Sequence, residues 1–106
     1  MPGEIIQDHH FDEDSRPAGG YARGVGINIQ WQNGPVVHHG HRHAPNGAFV
    51  EDVIRAAVGR IEFYQRSRNH CIENAIALGH LRSAIEVLEE RMRARADRGV
   101  EALPRT

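Results

Sequence analysis

The sequence lacks lysine altogether and has only one cysteine, few aromatic residues and no long apolar run. Its 13 basic residues are all arginine and nearly balance 14 acidic residues, for a net charge of −1. This balance does not favour bulk electrostatic binding to polymeric nucleic acid or to an anionic membrane. Cys71 alone cannot form an intrachain disulfide, which fits a reducing cytoplasm. With neither a membrane-spanning run nor a signal-peptide pattern, we expect a soluble intracellular protein.

The first 43 residues divide into a segment with little sign of regular structure and a segment with a clear strand pattern. Residues 1–20 are acidic and interrupted by proline and glycine, which predicts a flexible arm. Within the arm, Ile5, Ile6 and Phe11 have the composition of a short edge strand. Residues 25–32 alternate apolar and polar, which predicts a strand whose covered face holds Val25, Ile27, Ile29 and Trp31. Asn33-Gly34-Pro35 is a strong hairpin signal, so residues 36–43 are predicted as the partner strand.

The second half of the chain has the period of two amphipathic helices. Apolar residues recur at three- and four-residue steps over about 48–65 and again over about 70–98. Asn69 is a candidate N-cap for the second helix, and Gly99 a candidate C-terminal cap. The short connection makes the helices antiparallel neighbours. The predicted fold class is α+β: an antiparallel hairpin or small sheet at 25–43, then a two-helix hairpin, with residues 21–106 forming one domain.

This small fold leaves apolar surface without an intramolecular partner. A two-stranded hairpin is marginal alone, and two helices cover only each other and one sheet face. The first helix also carries a second stripe, formed by Ala56, Gly59, Arg60 and Phe63. We therefore predict a homo-oligomer whose interface completes the core.

Four arginines follow one another near the end of the second helix. Arg91 and Arg95 lie one turn apart in continuation of the apolar seam formed by Leu78, Leu81, Ile85, Leu88 and Met92. Two guanidinium groups so placed can converge on one anion. Arg93 points to the opposite side and Arg98 lies at the helix end, where solvated cations interact favourably with the helix dipole. The pattern predicts an anion site at Arg91 and Arg95 only.

Tyr64 and Asn74 meet at the other end of the helical hairpin. An aromatic ring can stack on a purine while a carboxamide contacts the base edge. The alternative is that Tyr64 closes the core and Asn74 bonds locally, and the residues alone do not decide between the two. Asn74 and Arg91 are separated by about 25 Å of helix, so one small ligand contacts both only across an interface between protomers.

No pattern in the sequence predicts catalysis or a metal centre. The histidines at His38–His43 match no metal-binding spacing, and a surface edge strand explains them better than a zinc or nickel site. Cys71 has no evident base partner. We therefore predict no enzyme activity, no catalytic residues, no metal site and no cofactor.

Three motifs, in this order, resemble the phage-encoded Thoeris anti-defence protein one family. They are "QNGP" at 32–35, "CIENA" at 71–75 and "RADRGVE" at 95–101, and an "NG" precedes the first helix. The resemblance covers about residues 25–101. The segment between QNGP and this NG is longer and richer in histidine than is usual in the family.

The resemblance implies a sponge that binds a signal without consuming it. Family members sequester glycocyclic ADP-ribose, made by TIR-domain enzymes, between protomers of even-numbered oligomers in the cytoplasm of the infected bacterial host. The resemblance therefore implies a homodimer or a homohexamer. By this similarity Tyr64 stacks on adenine, Asn74 contacts the base, and Arg91 and Arg95 hold the diphosphate. Two alternatives stay open, a sponge for cyclic di- or trinucleotides using further arginines such as Arg23 or Arg42, and a phage structural or adaptor protein. A hydrolase is the weakest candidate.

Overall fold

A computed structural model shows five short strands followed by two long helices. It describes residues 3–38 and 40–102, and the side chains among these except at 38 and 96–102. The fold class is α+β, as predicted. The elements are β1 (Ile6–Phe11), β2 (Pro17–Gly24), β3 (Ile27–Gln30), β4 (Val37–His38), β5 (His41–Arg42), α1 (Val50–Gln65) and α2 (Ile72–Ala102).

The first three strands form an antiparallel sheet in the order β1-β2-β3. A turn held by Asp12 joins β1 to β2, because its carboxylate accepts hydrogen bonds from the backbone N–H groups of Asp14, at 2.8 Å, and Arg16, at 3.0 Å. Gly20 permits close approach of the strands: a Cβ there would lie 2.3 Å from the carbonyl oxygen of Asp8. Its φ of 134° also excludes most other residues.

These two strands lie where the sequence predicted a flexible arm. Residues 6–11 and 17–20 are strand instead, and β1 is the edge strand for which Ile6 and Phe11 have the right composition. The acidic and glycine residues that indicated flexibility have structural roles here: Asp12 forms the turn, and Gly20 allows the close contact between the strands. Composition alone does not separate these roles from those of a linker.

The hairpin predicted at Asn33-Gly34-Pro35 does not form. The strand before it, β3, pairs with β2 across a two-residue loop at Val25 and Gly26, so Val25 is 98% exposed rather than on a covered face. The predicted second strand is instead a separate small hairpin, in which β4 pairs with β5. Long-range hydrogen bonds to Asn46 hold Asn33 in another arrangement.

The two Asn-Gly segments of the chain bind each other. Asn46 accepts from the backbone N–H of Asn33 at 2.8 Å and donates to its carbonyl oxygen at 3.0 Å. The Gln32 side chain accepts from the backbone N–H groups of Asn46, at 2.9 Å, and Gly47, at 3.1 Å, and donates to the carbonyl of Gly34 at 3.1 Å. We call these bonds the QNG–NG cross-link. It gives the QNGP and NG motifs a structural role in closing the loop between them.

The two helices are antiparallel, and their predicted ranges largely hold. Ion pairs join Arg55 to Glu89 at 3.3 Å and Arg82 to Glu62 at 2.6 Å. The predicted seam of α2 is covered from Leu78, which is buried, to Leu88, whereas Met92 is 49% exposed. Neither helix, over the part of the chain that is described, is long and apolar enough to cross a bilayer.

Both predicted caps of the second helix were wrong. The helix begins at Ile72, directly after Cys71, and Asn69 belongs to the turn. At the other end, α2 continues through Gly99 to Ala102. A glycine inside a helix is tolerated at a cost of about 1 kcal/mol, so its presence alone does not end a helix.

The described chain forms two compact units. One unit contains the strands up to residue 49, and the other contains both helices from residue 50. Few side chains are buried: Ala22 in the first unit, and Val58, Leu78 and Glu51 in the second, are the buried apolar and charged residues among those described.

We expect Gly47→Ala to destabilise the sheet unit. A Cβ at this position would lie 2.5 Å from both the carbonyl carbon and the carbonyl oxygen of Trp31, and such an overlap typically lowers stability by about 1–3 kcal/mol. Urea unfolding measures the effect. The matched control is Gly59→Ala, since nothing lies within 4 Å of a Cβ at this helical position, and it should leave stability unchanged or raise it by up to about 1 kcal/mol. Equal stability of Gly47→Ala and wild type would contradict the close contact.

Candidate functional site

The turn between the helices is held by the side-chain amide of Gln65, the last residue of α1. Its Nε2 donates to the carbonyl oxygen of Cys71, and its Oε1 accepts from the backbone N–H of Cys71, both at 3.0 Å. The same Oε1 accepts from Nδ2 of Asn74 at 3.0 Å. Gln65 thus binds the residue before α2 and the third residue of α2, and it orients Asn74.

Asn74 is half-buried and uses both of its N–H donors within the turn. Its Nδ2 donates to Gln65 Oε1 and to the carbonyl oxygen of Asn69, each at 3.0 Å. Both partners accept, so the NH₂ group faces the turn, and Oδ1 has no hydrogen-bond partner among the described residues. In this state Asn74 has the local bonding role and offers a ligand an acceptor but no donor. Bidentate contact with an adenine edge requires breaking one of these bonds.

Tyr64 lies at the same end of the helical unit, next to Gln65. It is half-buried, and its neighbour Phe63 is 47% exposed. The centroids of the two rings are 6.2 Å apart and the ring planes are tilted by 55°. Arg60 lies over both rings, with Cζ 4.8 Å from the centroid of Phe63 and 5.1 Å from that of Tyr64. The turn therefore carries an aromatic surface with a cation on it.

Arg91 and Arg95 lie near the opposite end of the helical unit. Arg91, Arg93 and Arg95 are all exposed, and none has an ion-pair partner among the described residues. Solvent exposure therefore does not distinguish Arg91 and Arg95 from Arg93. Only their positions around the helix distinguish them. The side chain of Arg98 lies outside the described residues.

The helix register places the two arginines beside the start of α1. Seven residues separate the ion-paired positions on each helix, and the same register puts Val50, the first residue of α1, level with about residue 94. The 31-residue α2 thus extends past the 16-residue α1. Arg91 is therefore level with the first turn of α1, and Arg95 with the point where α1 begins.

The four predicted site residues therefore form two separate groups in one chain. Tyr64 and Asn74 lie at the turn, and Arg91 and Arg95 lie at the far end. Because α2 is a continuous helix, Asn74 is about 25 Å from Arg91 and about 32 Å from Arg95 along its axis. A small nucleotide cannot contact both groups of one chain.

The sheet unit has a pocket that the sequence did not reveal. Its volume is about 270 Å³, and it is lined by the backbone of Gly19 and Gly20 and by polar or aromatic side chains. Arg23 lies over the ring of Tyr21 at 4.2 Å. Nε1 of Trp31 is buried without a hydrogen-bond partner in the described part of the chain. The polar and aromatic side chains that line this pocket are those of His10, Tyr21, Arg23, Gln30, Trp31 and Asn33.

The histidine cluster lies across the turn of a hairpin and not along one strand. His38 and His41 pair in β4 and β5, and His39 lies outside the described residues. Over residues 3–38 and 40–102, no group of three histidine, cysteine, aspartate or glutamate side chains is placed to hold a metal ion. Cys71 is exposed and has no disulfide.

Three features at these sites were missed from the sequence. The contact of Arg60 with Phe63 and Tyr64 was readable, because residues three and four apart in a helix are neighbours. The Gln65 hydrogen bonds depend on the path of the turn, and the pocket depends on strand register, since β1, β2 and β3 bring residues 10–33 together. Neither left a short-range signal.

We expect Gln65→Ala to loosen the inter-helical turn. Three hydrogen bonds disappear, and at about 1 kcal/mol net for each the free energy of unfolding should fall by about 2–3 kcal/mol. Thermal unfolding followed by circular dichroism measures this loss. Gln7→Ala is the control, since Gln7 is exposed on the edge strand and should change stability by less than about 0.5 kcal/mol. A Gln65→Ala protein as stable as wild type would show that the turn does not depend on this side chain.

Comparison with known proteins gives one informative match. The chain is 38% identical over 73 residues to Thoeris anti-defense 1 of Bacillus phage SBSphiJ7. The matched region is 69% of this chain but 49% of the relative, so the chain spans about half the length of that protein. No family model matches the sequence. Identity at this level over more than two thirds of the chain shows that the chain belongs to the Thoeris anti-defence family.

Proposed function

We propose that this protein blocks Thoeris immunity in an infected bacterium by binding glycocyclic ADP-ribose and keeping it from its receptor. The observation that carries the proposal is the placement, in a chain of this family, of a stacking surface with a carboxamide at one end of α2 and of two exposed guanidinium groups near the other, which have no ion-pair partner among the described residues. These groups match the three chemical parts of the ligand: a purine, its exocyclic amine and a diphosphate.

The turn end supplies the chemistry for the base. Tyr64 offers a ring for stacking, which contributes about 1–3 kcal/mol for each base in other proteins. Oδ1 of Asn74 has no hydrogen-bond partner among the described residues, and an adenine presents a matching donor in its exocyclic amine. Since both Asn74 N–H groups are held by Gln65 and Asn69, the contact uses the carbonyl oxygen and keeps the turn intact.

The arginine end supplies the chemistry for the diphosphate. Arg91 and Arg95 are one turn apart and have no carboxylate partner among the described residues, so both forks are available to phosphate oxygens. Hydrogen bonds to charged groups contribute about 1.5–3 kcal/mol each. Arg93 is on the other side of the helix and takes no part.

A complete site needs a second copy of the chain. Asn74 and Arg91 of one chain are about 25 Å apart along α2, which exceeds the reach of one nucleotide. Tyr64 and Asn74 of one protomer therefore face Arg91 and Arg95 of its partner. The helical unit also exposes apolar side chains opposite its core seam, including Ile72 at 69%, Ile76 at 54% and Val87 at 68%. Residues 72, 76 and 87 fall on one side of α2, and we propose that this side contributes to the interface.

Sequestration does not require catalysis. To compete with a receptor, a sponge needs roughly nanomolar affinity, on the order of −12 kcal/mol. Two arginines and one stacked base supply a large part of this free energy, and enclosure between two rigid helices reduces the entropic cost of binding. We therefore propose that the ligand leaves the protein chemically unchanged.

We expect Asn74→Ala and Arg95→Ala each to weaken capture of glycocyclic ADP-ribose by about 10- to 100-fold, the equivalent of about 1.5–3 kcal/mol. Arg93→Ala, which removes the same charge from the other side of α2, should bind like wild type. Calorimetric titration measures the affinities, and analysis of the nucleotide released on heating should return intact ligand.

The same samples test the need for a second chain. Sedimentation should show one even-numbered oligomer for wild type and all three variants. A monomeric wild type that still binds tightly would contradict a shared site. A cleaved nucleotide would make the protein an enzyme, and unchanged binding by both Asn74→Ala and Arg95→Ala would remove these residues from the site.

A sponge for cyclic di- or trinucleotides is the second candidate, and the pocket of the sheet unit favours it. The pocket has an arginine, an indole and a phenol in its lining and contains no carboxylate among its lining residues. Titration with a cyclic dinucleotide and a cyclic trinucleotide tests this function. We expect Arg23→Ala to abolish that binding while glycocyclic ADP-ribose capture persists. A wild-type chain that binds neither oligonucleotide eliminates the candidate.

A further inference from the structure

The guanidinium of Arg60 occupies the exposed face of the aromatic surface at the helical turn. Its Cζ is almost equidistant from the two ring centroids, 4.8 Å from Phe63 and 5.1 Å from Tyr64. Both distances are within the range of a cation–π contact. The group therefore lies over the cleft between two rings that are tilted by 55°, and it covers part of the face that Tyr64 presents to solvent.

Helix geometry explains this contact. Arg60 precedes Phe63 by three residues and Tyr64 by four, and both spacings place side chains on the same side of a helix. Long side chains in a helix lean toward the N-terminus, so both rings lean toward Arg60. No carboxylate among the described residues forms an ion pair with Arg60, whereas Arg55 and Arg82 on the same unit both have such partners. The rings are the only described partners of its charge.

A base that stacks on Tyr64 must meet this guanidinium. The base and Arg60 cannot occupy the same ring face, so the guanidinium has to move when the base arrives. The movement is easy, because an exposed cation–π contact is weak and the arginine side chain has several rotatable bonds. In its observed position the group has no ion pair among the described residues that would hold it back, and the outer face of the base lies within its reach once it moves.

We propose that Arg60 is a third base-contacting residue, which covers the Tyr64 ring in the free protein and stacks on the outer face of the purine in the complex. The inference rests on the proposed function and extends it to a residue outside the family motifs. A planar guanidinium stacks on a base as readily as on an aromatic side chain. The purine is then enclosed between Tyr64 and Arg60, and its edge stays free for Oδ1 of Asn74.

Substitution of Arg60 tests this arrangement by calorimetric titration with glycocyclic ADP-ribose. We expect Arg60→Ala to bind about tenfold more weakly than wild type. Arg60→Lys keeps the charge but not the planar group, so it should recover little of the loss. The control is Arg68→Ala, which removes an exposed arginine from the turn beyond the aromatic surface and should bind within about twofold of wild type. Matching circular dichroism spectra and melting temperatures exclude a folding defect.

A spectroscopic measurement separates stacking from electrostatic attraction. Stacking on both faces lowers the ultraviolet absorbance of adenine, so wild type should lower it more at saturation than Arg60→Ala or Arg60→Lys. Equal absorbance changes, or affinity of Arg60→Ala equal to or above that of wild type, would overturn the proposal and leave the sponge function intact. A wild type that does not bind the ligand would refute the proposed function, and the role of Arg60 with it.

Discussion

The helical unit depends on the tight turn that makes its two helices antiparallel, and the carboxamide of Gln65 stabilises this turn. Its two polar atoms bind both backbone groups of Cys71 and the side chain of Asn74. These bonds fix where α2 begins and which atoms of Asn74 face outward. They also hold Tyr64, the neighbouring residue, at the same end. The residues that we assign to base recognition therefore belong to the same hydrogen-bond network that stabilises the turn.

The helices and the presence of a small antiparallel sheet were predictable from the sequence, but the pairing of the strands was not. Apolar spacing placed α1 and α2 to within a few residues at most ends, because helical hydrogen bonds are local and the period is carried by the helix itself. Strand pairing is decided by residues far apart in the chain. Asn33-Gly34 has a hairpin composition, but its groups bind Gln32 and Asn46 instead, and Asn46 is 13 residues away from Asn33. Turn composition could not identify that competitor.

The candidate site was likewise predictable only in part. Helical periodicity singled out Tyr64, Asn74, Arg91 and Arg95, and the length of a helix was enough to separate them into two groups. What the sequence could not give is the bonding state of each side chain. It left open whether Asn74 bonds locally, and in the structure both of its donors do, while its acceptor has no described partner. It likewise placed Arg60 only in the second stripe of the first helix, although the side chain lies over two rings.

The QNG–NG cross-link has a consequence for how this chain can vary. It ties residues 32–34 to residues 46 and 47, so the histidine-rich segment between them is a closed loop with both ends fixed. Doubling the length of such a loop costs only about 0.6 kcal/mol in closure entropy. We therefore expect a longer or shorter segment here to cost the sheet unit little stability. The same property makes this loop a permissive insertion site for a fluorophore or an affinity peptide.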